Sequence, residues 1–148
     1  MSGYISYLAA CEMNESFSEY LLYEPILRIL IARKYLVHCE FVCPEILQPA
    51  QGDKKKIDFE AVGHDIRFAL EVKWARQRKL NVEKDALKLS AFHTNDPLTS
   101  SFLCVFGVRS VIENIQLLNG SFSEQGKAVY AEFGRTRYGC RIYKLNVA

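Results

Sequence analysis

Two stretches decide how this chain folds: Lys56-Ile57-Asp58-Phe59-Glu60-Ala61-Val62 and, after a short turn, Phe68-Ala69-Leu70-Glu71-Val72-Lys73-Trp74. Each reads as a strand, and the turn residues between them predict a hairpin centred on His64-Asp65. Position 63 then pairs with 66, and 58 with 71. Asp58 is placed directly across from Glu71, with Cβ atoms about 5 Å apart. Side chains alternate along a strand, so Glu71 and Lys73 share a face. One face is expected to carry Asp58, Glu71 and Lys73, and the other Ile57, Phe59, Leu70, Val72 and Trp74. Two carboxylates in direct opposition repel each other. A divalent cation between them turns that cost into a binding site.

Outward from the hairpin, the pattern predicts a helix from residue 16 to about 35. Ser16-Phe17-Ser18-Glu19 fits a capping box. Pro25 interrupts this helix and either kinks it or opens a second segment with the proline in its first turn. Residues 37–42 read as a strand ended by Pro44, and 48–56 as a polar loop. Asn81 caps a helix running to about Phe92, which Asn95-Asp96-Pro97 breaks. The apolar run 102–108 has the composition of a central strand covered on both faces. Ser110 caps a helix to about Leu118, ended by Asn119-Gly120. Residues 128–133 and 141–145 read as two last strands around the segment 134–139. The expected fold is α/β, a mixed sheet flanked by helices, in a single domain spanning residues 1–148.

Composition narrows the function classes. The chain is 49% hydrophobic and 24% charged, which argues against disorder, and its net charge of +2 neither demands nor excludes a nucleic-acid partner. Five cysteines without regular spacing point to buried free thiols and a reducing cytoplasm rather than a zinc site or a disulfide framework. No signal segment opens the sequence. The longest apolar region carries Glu24, Arg28, Arg33 and Lys34, too charged for a membrane span.

The order of elements, with Asp58 on one strand and Glu71-Val72-Lys73 on the next, resembles the PD-(D/E)XK nuclease superfamily, the restriction-endonuclease-like fold. The resemblance covers about residues 19–108. The proline that names the motif is replaced by Ile57. The resemblance implies that Asp58 and Glu71 bind Mg²⁺, with Mn²⁺ as a substitute, and that Lys73 assists attack by a metal-activated water. The carbonyl of Val72 is then a third ligand. The family often adds an acid from the first helix, which here matches Glu24. On a continuous helix, Glu24 centres a stripe of Phe17, Tyr20, Leu21, Leu27 and Ile31, whereas Leu22, Ile26 and Ile29 form a competing apolar side.

Arg76, Arg78 and Lys79 follow the Glu-x-Lys strand, and Lys84 and Lys88 lie one helical turn apart beyond it. These five are candidates to meet a nucleic-acid backbone. Glu60, one step along the Asp58 face, is read as a further ligand or as a solvated partner for a base, and His64 as an exposed turn residue. No Ser-His-Asp or Cys-His arrangement and no glycine-rich phosphate loop is present. The expected function is metal-dependent hydrolysis of phosphodiesters, in DNA above all, with a homodimer or protein partner supplying specificity. The alternative is a catalytically silent module of the same fold that binds nucleic acid or a protein, as in toxin neutralisation or a defence complex.

Overall fold

The computed structural model describes residues 1–11, 18–43, 46–96, 98–118, 121–132 and 136–146. Ser16, Pro44, Pro97 and the Asn119-Gly120 pair, invoked above as caps and breakers, lie outside them.

Three strands and two helices open the fold. Helix α1 is Ser2–Ala10, a 3-10 turn spans Glu19–Leu22, and α2 is Tyr23–Ala32. Strands β1 (Leu36–Phe41), β2 (Ile57–Val62) and β3 (Arg67–Ala75) follow. Next come the short β4 (Lys79–Leu80), helix α3 (Glu83–Asn95), strand β5 (Ser100–Val108) and a single-turn helix α4 (Arg109–Ile112). Strands β6 (Gln116–Leu117), β7 (Phe122–Glu124), β8 (Val129–Glu132) and β9 (Arg137–Leu145) complete the order.

Pro25 falls in the first turn of α2, where its missing N–H breaks no intrahelical bond. The expected long helix is therefore two segments. The expected helix to 118 stops at Ile112, and its remainder supplies β6, which pairs with β4. Helix α1 was not expected from the sequence; Ile5 and Leu8 bury its inner side.

Seven strands form a mixed α/β sheet in the order β1-β2-β3-β5-β9-β7, with β8 also paired to β9. In this sheet, among the described residues, β3 and β5 are the parallel pair, and α3 connects them, as a parallel pair requires; the separate β4–β6 pair is also parallel. Phe59, Ala61, Val72, Cys104 and Phe106 pack one face against Ile5 of α1 and Leu22, Ile26 and Leu30. On the other face Ile57 and Ala69 pack against Ala86, Leu89 and Phe92 of α3, and Leu103 and Val105 against Val82 and Ile112. Strand β5 is thus covered on both faces, the environment its apolar run predicts.

The hairpin has the register expected from its turn. Gly63 N–H donates to the Ile66 carbonyl at 2.7 Å, and the ladder pairs Val62 with Arg67 through to Phe59 with Leu70. One face assignment needs correction. Ile57 joins the α3 side, while Phe59 joins the α2 side with Leu70, Val72 and Trp74. Alternation therefore fails between 57 and 59, at Asp58. All five cysteines carry free thiols. Among the described residues no helix is long and apolar enough to cross a membrane.

Candidate functional site

Asp58 sits where strand pairing breaks on both sides. Toward β3 the ladder stops at Phe59–Leu70. One step further, Val72 N–H donates not to a backbone carbonyl but to Asp58 Oδ2, at 2.7 Å. Toward β1 the pairing skips from Cys39–Phe59 to Phe41–Ile57. Glu40, opposite Asp58 in that gap, has φ of 51°, a left-handed backbone inside a strand. Such a conformation in a residue with a side chain costs on the order of 1–3 kcal/mol and clusters at functional sites. Lys56 Nζ holds the Glu40 carboxylate at 2.6 Å.

The second oxygen of Asp58, Oδ1, accepts the Tyr23 hydroxyl at 2.5 Å. Burial, then this hydrogen bond, push the Tyr23 pKa up, so the hydroxyl stays a donor. Tyr23 packs on Phe59 with ring centres 4.7 Å apart, which anchors it. In an extended strand the N–H and C=O of one residue project to the same side, so the Val72 carbonyl also faces the gap that holds Asp58.

Glu71 is fully buried, on the face of β3 that α3 covers. Lys88 Nζ lies 2.5 Å from its Oε1. That contact is short enough for a charge-assisted hydrogen bond, and among the described residues Oε2 has no hydrogen-bond partner. Burial, then the charge of Asp58, push the Glu71 pKa up to about 8, and Lys88 pulls against both. Lys88 is itself held by the Lys56 carbonyl at 2.9 Å and by Asp85 at 3.5 Å.

Lys73 projects from the same face. It stands 3.3 Å from Asp85 Oδ1 and 3.8 Å from Glu19 Oε2. Burial disfavours its charge, but Asp85, Glu19, Glu71 and Asp58 outweigh that, and its pKa is raised. Glu19 Oε1 also accepts the Trp74 N–H at 3.2 Å. Four carboxylates (Glu19, Asp58, Glu71, Asp85) thus share one neighbourhood with two ammonium groups.

Asp58, Glu71, Val72 and Lys73 lie in one neighbourhood, but the ladder ends at Phe59–Leu70 and Asp58 meets Val72 N–H and Tyr23 rather than pairing with Glu71. Glu24 is not among them. It is exposed and paired with Arg28 one turn along α2. The break at Leu22–Tyr23 turns the Leu22, Ile26 and Leu30 side inward, and Glu19 is the acid of this segment that reaches the site. Of the basic candidates, Lys88 touches Glu71 and Lys84 lines the adjoining groove. Arg76 lines a cleft of about 220 Å³ with Glu19, Tyr20 and Trp74. Arg78 and Lys79 belong to a different cleft, with Asn114 and Gln116, so they do not join the site. Glu60 is buried rather than solvated, taking Arg67 and His38 as partners.

Tyr23, Glu19 and Asp85 were missed from sequence. Asp85 had a signal: at helical spacing it falls beside Val82, Ala86, Leu89 and Phe92, an acid on an apolar stripe. Tyr23 had none, because its role depends on how α2 docks on β2.

Among the described residues no three His, Cys, Asp or Glu side chains are close enough to hold an ion by themselves. Two carboxylates and a carbonyl nevertheless suit Mg²⁺, which keeps several waters and uses few protein ligands. Glu71 Oε2, buried and without a hydrogen bond among the described residues, beside the charge of Asp58, fits such a cation. The chain matches no protein-family model, no curated protein and no solved structure.

Proposed function

We propose that this chain is a metal-dependent nuclease of the restriction-endonuclease-like fold, hydrolysing phosphodiester bonds, in DNA above all. The observation that carries the reading is the pairing of two carboxylates: fully buried Glu71, met at Oε1 by Lys88, beside Asp58 at a double break in strand pairing. Like charges buried side by side are costly unless a cation offsets them. The β3–β5 parallel pair, with α3 between them and the hairpin alongside, supports the fold assignment.

Asp58, Glu71 and the Val72 carbonyl would hold Mg²⁺ or Mn²⁺. Such an ion, when bound, lowers the pKa of its water and offsets phosphate charge. The chain's own residues supply the rest. Tyr23 O–H and Val72 N–H orient the Asp58 carboxylate. Lys73 keeps its proton and is tethered by Asp85 and Glu19, so a fixed positive charge stands ready for the phosphoryl oxygens. Lys88 gives Glu71 a counter-charge. Its contact also favours the competing reading, a silent binding module in which Lys88 takes the place of the ion.

Incubation with plasmid, duplex and single-stranded DNA, and with RNA, in Mg²⁺ or Mn²⁺ tests the reading. Cleavage lost in Asp58→Ala is expected. No cleavage of any of these above that variant sinks the enzyme reading.

A further inference from the structure

A groove of about 630 Å³ runs beside the site, between α3 and the segment that joins β1 to β2. Lys55, Lys56, Lys73, Lys84 and Lys88 line it, against one acid, Asp85. Lys73 and Lys88 stand at its inner end, next to Glu71. Among the described residues neither Lys55 nor Lys84 has a carboxylate partner, and both are exposed. Such a lining selects an anionic ligand.

The remaining lining narrows the ligand. Leu47, Leu87, Ile46 and Ala91 make the groove largely aliphatic between its lysines. Leu47 is 87% exposed and Leu87 67% exposed. A duplex presents phosphates and sugars on its outside and keeps its base faces stacked within, so these aliphatic groups would gain little from it. A strand whose bases are free meets both chemistries at once, phosphates on lysines and base faces against leucines through burial of apolar surface. A concavity of this size admits a few nucleotides rather than a double helix.

We infer that the groove binds an unpaired nucleic-acid strand, led by Lys55 and Lys84 and seated on Leu47 and Leu87. This rests on the nuclease reading for the site it feeds, but binding is measurable without cleavage. The strand is positioned with its backbone passing Lys88 and Lys73 toward Asp58 and Glu71.

The test is fluorescence anisotropy in EDTA with a labelled single-stranded DNA and the same sequence as a duplex. The single strand is expected to bind tighter by about tenfold, on the scale of a base contact. Leu47→Ser with Leu87→Ser should weaken single-strand binding by about 5- to 50-fold and leave duplex binding unchanged. Both positions are exposed, and an unchanged melting temperature checks the fold. Lys55→Ala with Lys84→Ala should reduce the salt slope of single-strand binding by about 0.7 per lysine removed. Duplex binding equal to or tighter than single-strand binding, no binding of either, or no effect of the leucine pair overturns the inference. Cleavage confined to duplexes overturns it while leaving the nuclease reading intact. Single-strand binding with these dependences, but no cleavage, supports it and sinks the nuclease reading instead.

Discussion

Lys88 Nζ meets Glu71 Oε1 at 2.5 Å, on a fully buried carboxylate. The pair joins α3 to β3 through a charge-assisted contact. Replacing Lys88 by Met keeps the alkyl chain and removes the charge. The expected loss of stability in EDTA is about 1 kcal/mol at pH 9, bounded because a Glu71 freed of Lys88 takes up a proton there. At pH 6 the loss is expected to be much smaller, because Glu71 carries its own proton there. Denaturant melts at the two pH values check this; equal losses contradict it.

Glu71 sets a pH dependence of its own. Its pKa rises from an ordinary 4.5 to about 8 in the folded protein, chiefly through burial. Between those values the folded state holds a proton that the unfolded state has released. Stability must therefore fall as pH rises through that window. Glu71→Gln, neutral in both states, removes this contribution, and is expected to gain on the order of a few kcal/mol over the wild type at pH 8.5. Chemical denaturation across pH 5 to 9 in EDTA decides it; parallel profiles contradict the assignment.

Tyr23 is expected to orient Asp58 rather than to react. Tyr23→Phe removes one hydrogen bond to the carboxylate and should destabilise by about 1–3 kcal/mol. Cleavage should fall with little change in KM, since the loss is in ligand geometry. Tyr20→Phe, at an exposed ring 5.2 Å from Tyr23, should leave both unchanged.

Glu19 and Glu24 separate the observed site from the expected one. Glu19→Gln should lower cleavage by weakening the hold on Lys73. Glu24→Gln should alter stability by no more than about 0.5 kcal/mol, as exposed helix pairs do, and leave cleavage unchanged. Steady-state kinetics of the two variants test this; the reverse ranking would restore Glu24.

What could be read from sequence follows interaction range. The hairpin register from Val62–Arg67 to Phe59–Leu70 was legible because the turn at 63–66 and period-two alternation are local; the ladder ends before the expected Asp58–Glu71 pair. The face of Ile57 was not, because Glu40 on a neighbouring strand distorts the pairing around Asp58. Glu24 was favoured over Glu19 on the assumption of one continuous helix, and a break of one turn changes which side faces inward. Lys88 was visible as a basic residue on α3. Its contact with Glu71 depends on how α3 packs on β3, which no local pattern encodes.

The central claim is that Asp58 and Glu71 form a cation site served, but not built, by Lys73. Calorimetric titration with Mn²⁺ at pH 8 of the wild type, Glu71→Gln and Lys73→Ala tests it most directly. The wild type should bind one ion, Glu71→Gln should lose it, and Lys73→Ala should keep it. Binding alike in all three, or in none, contradicts the account.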